Sequence, residues 1–575
     1  MKKITKTISA MLSLALCVTG SVSAFTACGG GGYQGGNQID ADLDLAGKTA
    51  KNDPNTIECY LYSAGFGVEW FNQVAKSFMK KNPQYSVKVS VQLQDSLSTV
   101  IASGPKNMTT DLIITGGSVM PLVARGSSVV DGYDVCFEPL DDVYAYELPG
   151  ENETILEKMD SEASAFYTQE VTMNGVTEEH IFGMPWMGGL NGIMYNSDLF
   201  KQAGLKDENG NATEPRTTDE LKEYCDTLLE NDITPFIYSA SDDYFQYCGN
   251  IWWGQYAGAK GIDNFYNAKI NDTARPSATT SPEIFKQPGL REMFKVYEEL
   301  LDPAKKYVYE YVESLDYTKA QALFLQGKAE HGAMQPNGSW LENEMRTTSS
   351  QMKIGDVLPM QTPVVTALSD QMSYWEENGN FTEVTKAGTL TAEKRKAYDE
   401  KLRELVDYAD GVAAAPSWAT EEDLKLIKER RAYSDDSVGS QMCIPIYATA
   451  KDAAKEFLKY MASDEALGLW LGATYGTIPP YDYDVEAWEG YDTLSPFAKK
   501  VRKMLDKSVN LPSMDKYPTR YRGGLYYDYG TVGYNWCLTF GSQAGSRRTA
   551  DEVVQRGYDY YKGIMNKLLT DSGIL

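Results

Sequence analysis

The sequence predicts an α/β protein built on mostly parallel sheets, and three observations lead there. The first is the order of hydrophobic periods. Residues 57–63 read as a strand, and Phe71, Val74, Ala75, Phe78 and Met79 then recur at i, i+3, i+4, i+7 and i+8, one face of a helix. Val87, Val89 and Val91 alternate as a second strand, and residues 111–115 form a short apolar one that ends at Gly116-Gly117. A β-α-β order implies parallel pairing, with ligand crevices at the carboxyl ends of the strands. The second observation is length: 575 residues exceed one core, and two large α/β lobes fit. The third is composition. With 42% hydrophobic and 23% charged residues, the chain is ordinary globular material, which argues against wholesale disorder.

Other elements follow the same logic. The first helix stops at Lys80-Lys81-Asn82-Pro83, with cations in its last turn and proline beyond it. Residues 291–301, 319–325 and 453–461 carry helical periods. Thr549 and Glu552 match a capping box opening a last helix with Val553, Tyr560, Ile564 and Leu568 on one face. The stretch 363–436 breaks the β-α rhythm and contains a charged helix near residues 393–408.

The N-terminus addresses the compartment. Lys2, Lys3 and Lys6 precede an apolar run ending in small residues, the shape of a secretory signal over residues 1–27. Phe25-Thr26-Ala27-Cys28 resembles the lipobox of bacterial lipoproteins, in which the Cys28 thiol would carry a diacylglyceryl (palmitate-type) anchor. Six glycines fall within residues 29–36, so residues 28–55 read as a flexible, lipidated tether, with residues 29–55 dispensable for binding.

Charge and motifs exclude several functions. With 80 acidic and 54 basic residues the formal charge is −26, which disfavours nucleic acid as a partner. No G-x-S-x-G elbow, Walker A loop, H-E-x-x-H or C-x-x-C occurs, and only His180 and His331 are present. No catalytic residue, metal site or cofactor is therefore assigned. The 39 tyrosines against 18 phenylalanines favour wet aromatic surface, an apolar face with a polar tip.

An ordered set of segments resembles the extracellular solute-binding proteins of ABC importers, in the carbohydrate-binding group that includes maltose-binding protein. The set comprises Phe71 to Pro83, Asp111-Leu-Ile-Ile, Gly183-Met-Pro185, Tyr195-Asn196 through Leu205, Pro215 to Leu221, and Phe324-x-x-Gly327. It continues with Asn337-Gly338-Ser339-Trp340, Ala453 to Leu458, Ser463-Asp-Glu465 and Gly476 to Pro479. The resemblance implies a two-lobed periplasmic-binding-protein-like fold, each lobe a mostly parallel sheet flanked by helices, joined by crossing strands. Lobe 1 would comprise 56–184 and 365–478, with the insertion at about 363–436, and lobe 2 would comprise 185–364 and 479–575. Trp340 falls on the family's Asn-Gly-x-Trp aromatic, which stacks on sugar rings. Asp242 and Tyr244 resemble a cleft segment, and Thr115 and Ser118 follow the Asp-Leu-Ile strand where polar contacts are expected. Trp70, Trp186, Trp252, Trp253 and Trp375 lie in loop-like stretches near these segments and complete the candidate set. The resemblance implies no enzyme activity. It implies a monomer on the outer face of the cytoplasmic membrane that delivers an oligosaccharide to ABC permease subunits coupled to a cytoplasmic ATPase. Two alternatives stay open: a ferric-ion binder using Tyr526-Tyr527 on the same fold, and a surface glycan hydrolase.

Overall fold

The computed structural model describes residues 38–45, 53–92, 97–103, 109–123, 128–159, 164, 166–242, 244–349, 356–435, 440–475, 481–512, 535–541, 547–571 and 574–575. The signal peptide, Cys28 and Tyr526-Tyr527 lie outside them.

The first lobe grows from β1 (Thr56–Tyr62), whose five central residues are all buried. It pairs in parallel with β2 (Ser86–Gln92) and β3 (Leu112–Ile114), as the β-α-β order requires. β11 (Gln441–Cys443) then runs antiparallel to β3 and to β6 (Met184–Pro185), giving the order β2-β1-β3-β11-β6. Against this sheet packs the helix Glu69–Lys81, which buries Trp70, Phe71, Val74, Ala75 and Phe78. Helices Lys451–Met461 and Asp464–Thr474 close the same core with Phe457 and Trp470.

Part of the expected tether is folded onto this lobe. Leu43 is fully buried, Leu45 N–H donates to Val89 O (3.0 Å), and Val89 N–H donates to Leu43 O (2.9 Å), extending the edge beside β2. Asn72 pins the strap from the helix side, accepting from Asp40 N–H (3.1 Å) and donating to Gln38 O (3.0 Å). One buried leucine and an open strand edge suffice to capture a segment whose composition reads as linker.

The second lobe has a central β7 (Asn191–Asn196) flanked by β8 (Met334–Gly338) and β9 (Val357–Met360). Both neighbours run antiparallel to β7, so the two-lobed α/β class holds while the expected parallel pairing does not extend to these strands.

The insertion also belongs here rather than in the first lobe. Leu368, Leu402, Leu405, Val406, Ile427 and Tyr433 are buried in one core with Leu221, Trp252 and Phe294. The reason is electrostatic as well as apolar. Arg395, on the inserted helix Ala392–Ala409, forks onto Asp219 of helix Thr218–Glu230 through bonds of 2.6 and 2.7 Å. Arg403 reaches Glu223 at 2.8 Å and Asp399 at 2.6 Å, and Arg216 reaches Asp407 at 2.7 Å. A hydropathy pattern does not register such pairings. The assignment of residues 479–575 to lobe 2 fails at its start for a similar reason: Tyr481, Val485 and Leu494 are buried in the first lobe's core.

The last helix, Ala550–Asp571, opens on the expected capping box, with Thr549 and Glu552 exchanging bonds. Val553 is buried as read in the sequence, and beyond it the buried stripe is Tyr561, Met565 and Leu569, one residue along from Tyr560, Ile564 and Leu568. The chain changes lobes between Met187 and Leu190, between Tyr433 and Met442, and again along helix Pro496–Leu505, where Ala498 packs with the first lobe and Phe497 and Val501 with the second. Among the described residues no helix is long and apolar enough to cross a membrane.

Candidate functional site: an aromatic cluster between the lobes

Strand β8 ends beside the first crossing. Ser339 N–H donates to Leu190 O (2.9 Å), and Leu190 N–H donates to Ser339 Oγ (3.2 Å). Trp340 follows and leads into helix Leu341–Ser349, whose Leu341 is fully buried and fixes its start. A Cβ on Gly338 would stand 2.1 Å from the Trp340 ring, so the Asn-Gly-x-Trp pattern needs glycine for this approach.

Trp340 is half-buried and meets Tyr244 and Tyr247 edge to face, with ring centroids 6.4 and 6.0 Å apart. Tyr317 continues the row, lying nearly parallel to Tyr244 at 6.4 Å with 45% of its surface exposed. From the other lobe comes Gly65. A Cβ there would lie 3.0 Å from Trp340 Cβ, and Asn343 Nδ2 donates to Gly65 O at 2.6 Å. Trp340 is thus carried by lobe 2 yet packs against lobe 1.

Two carboxyls adjoin the aromatics. Burial pushes Glu344, one helical turn beyond Trp340, up to about 7 against the opposing hydrogen bond with Gln321. Burial also pushes Asp435 up to about 6, with Asn250 Nδ2 donating to it at 3.0 Å. The Tyr244 and Tyr247 phenols are raised, first by burial and then by neighbours that include Glu344 beside Tyr244 and Asp435 beside Tyr247. Near neutral pH the Glu344 carboxyl can both accept and donate hydrogen bonds. Asn337 Nδ2 donates to Gln321 Oε1 and Gln335 Oε1, both at 3.1 Å, and completes an amide network behind the indole.

The other predicted residues divide sharply. Asp242 is exposed at the rim, where its carboxylate accepts from Ser239 Oγ and from Tyr317 N–H (3.0 Å). Ser118 is half-buried and accepts from Met120 N–H (3.2 Å), which makes it a local turn cap. Thr115 is fully buried, its Oγ1 taken by Gly117 N–H (3.0 Å), so it offers no hydroxyl to a solute in this conformation.

Four of the five other tryptophans are core. Trp70 stacks on Trp186 at 5.2 Å inside lobe 1, and Trp186 Nε1 donates to Thr115 O (2.8 Å). Trp252 and Trp253 are buried in lobe 2, donating to Pro363 O (3.2 Å) and Gln287 Oε1 (3.0 Å). Trp375 packs on Tyr398 and Phe381 within the insertion. Large indoles near cleft-forming segments were drawn into the cores those segments cover. Tyr247, Tyr317, Glu344, Asp435 and Gly65 were not foreseen. Helical spacing could have found two of them: Tyr247 is i+3 from Tyr244, and Glu344 is i+4 from Trp340.

Residues 67–347 match the family model described as bacterial extracellular solute-binding protein. That segment, just under half of the chain, carries the family's pattern. No curated protein sequence matches it. Among solved structures, a chitin oligosaccharide binding protein is similar at 16% identity and a TM-score of 0.55, covering 89% of this chain and 99% of its own. The GacH receptor of Streptomyces glaucescens, solved unliganded and with acarbose, gives 16% and 0.52, covering 90% and 98%. A cyclic α-maltosyl-1,6-maltose binding protein from Arthrobacter globiformis gives 15% and 0.51, covering 90% and 100%. At these identities the likeness concerns the fold. Solute-binding proteins of this family bind their solutes and are not enzymes.

Proposed function

We propose that this solute-binding protein captures an oligosaccharide between its lobes and delivers it to ABC permease subunits from a lipid anchor at Cys28. The observation that carries the sugar reading is the cluster of Trp340, Tyr244 and Tyr247 beside the Glu344 and Asp435 carboxyls, carried by lobe 2 and met by Gly65 of lobe 1. A pyranose offers apolar C–H faces and a rim of hydroxyls, which flat aromatics and carboxyls match. The aromatic row reaching the exposed Tyr317 favours a chain of sugars over a single ring. The chitin oligosaccharide, acarbose and cyclic maltosyl-maltose receptors of the same fold lend support.

A thermal-shift screen of the purified chain against oligosaccharides of differing linkage tests the reading. A matched ligand at one hundred times its Kd stabilises by about 2.7 kcal/mol. No shift with any oligosaccharide would overturn it, and sugar release on incubation would favour a hydrolase. Anchoring is tested separately, since Cys28→Ala should move the protein out of the membrane fraction.

A further inference from the structure

The contact between Trp340 and the first lobe does more than present an indole to a solute. Gly65, on the one-turn segment Ala64–Phe66 after β1, is the point at which lobe 1 touches the start of helix Leu341–Ser349. The indole's Cβ, Cγ and Cδ1 lie 3.0 to 3.1 Å from where a Gly65 side chain would begin. A side chain at this position therefore requires Trp340 to give by a few tenths of an ångström. The neighbouring Asn343 Nδ2 donates to Gly65 O at 2.6 Å, so a steric seat and a hydrogen bond join the lobes at one residue. Both halves are well supported from behind. Phe66 is buried in the lobe 1 core, and Leu341 and Met345 are buried in a lobe 2 cluster with Leu190 and Phe497.

We infer that Gly65, Trp340 and Asn343 form a cross-lobe latch, with Gly65 and Asn343 as positioning residues that set how much of the solute-free protein is closed. This rests on the reading of the inter-lobe cluster as the solute site. Apparent affinity scales with the populated fraction of the binding-competent form, so a latch remote from the solute's hydroxyls still tunes capture. Loss of the Asn343 amide removes the hydrogen bond and leaves the indole. Alanine at Gly65 displaces the indole and leaves the amide.

The test uses the solute-free protein. The six described native cysteines are all buried, so spin labels can be placed selectively at Lys80→Cys on lobe 1 and Glu310→Cys on lobe 2, both exposed. The account expects Asn343→Ala and Gly65→Ala each to lengthen the label separation by more than about 2 Å, the scale of lobe rearrangement. Asn343→Gln should recover part of the short distance. Affinity for the oligosaccharide that best stabilises the unsubstituted chain should fall about three- to tenfold, in step with the closed fraction. An unchanged distance distribution in both variants would overturn the latch, even if melting temperature fell. If Gly65→Ala does not fold, Asn343→Ala carries the test alone. A distance change with no oligosaccharide binding to the unsubstituted protein would leave the latch standing and refute the sugar reading.

Discussion

The two lobes solve the same packing problem with different chemistry. Lobe 1 buries a five-stranded sheet under aliphatic and aromatic side chains, and among the described residues its buried charged side chains are few: Glu58, Asp111 and Lys158. Lobe 2 has a three-stranded sheet and buries Glu220, Arg291, Glu292, Asp399, Asp423 and Arg431. Its inserted helices attach to a charged face, where Arg395, Lys222, Asp219 and Glu299 interlock. A lobe enlarged around an ionic seam is specified by pair geometry. A lobe organised around a sheet is specified by hydrophobic period, and the period is what a single sequence displays.

The largest expected effects come from breaking each lobe in its own currency. Trp186→Ala should cost about 3–5 kcal/mol through a cavity in lobe 1. Arg395→Ala should cost about 1.5–3 kcal/mol in lobe 2, because Asp219 and Glu299 then keep only Lys222 as their counter-charge. Arg395→Lys should recover part of that loss, because it restores a cation beside Asp219, whereas no charge change rescues Trp186→Ala. Two-transition calorimetry reads both, and equal responses of the two lobes to acid would erase the distinction. Lys222 and Arg395 hold Asp219 well below the usual carboxylate range against its desolvation. Its contribution is present above the unfolded value near 4 and is lost as pH falls through the lower folded value. Asp219→Asn should therefore flatten the loss of lobe 2 stability in strong acid, below the unfolded value near 4.

Smaller effects sharpen the comparison. Removing residues 38–45 should destabilise lobe 1 by about 1–3 kcal/mol, the value of burying Leu43, while removing residues 29–37 should change neither melting nor binding. Equal effects of the two deletions would return the strap to the tether. Smaller again is the pH response of Glu344, whose folded value is raised to about 7. A raised carboxyl disfavours the folded state as pH climbs from the unfolded value near 4.5 to about 7, and the penalty is flat above that. Glu344→Gln should thus raise stability at pH 8 by about 1–3 kcal/mol and leave it unchanged at pH 4. An unchanged melting profile would take Glu344 out of its buried setting.

How much was legible follows the same division. β1, β2, β3 and the helix Glu69–Lys81 announced themselves because one periodic apolar face suffices to define each. The insertion was misplaced because its partners Asp219 and Glu220 are recognisable only once helices 218–230 and 392–409 are side by side. Trp340 is singled out in the sequence by its Asn-Gly-Ser-Trp setting, and the structure places it half-buried against lobe 1, with the glycine serving the indole's close approach. Trp70, Trp186, Trp252 and Trp253 were misread because proximity in sequence to cleft segments does not tell which side of a sheet or helix a ring faces. Gly65 was invisible, since its role exists only across the lobes.

The central claim is that Trp340 belongs to a solute site shared by both lobes, and not to either core. Calorimetric titration of Trp340→Ala with the oligosaccharide that best stabilises the unsubstituted chain tests it most directly, alongside the melting temperature of the solute-free variant. Losing an anchoring aromatic commonly costs about 2–4 kcal/mol of binding. The account predicts at least about a tenfold weaker Kd with little change in melting. Unchanged affinity, or a stability loss of about 3–5 kcal/mol as for a core tryptophan, would contradict it.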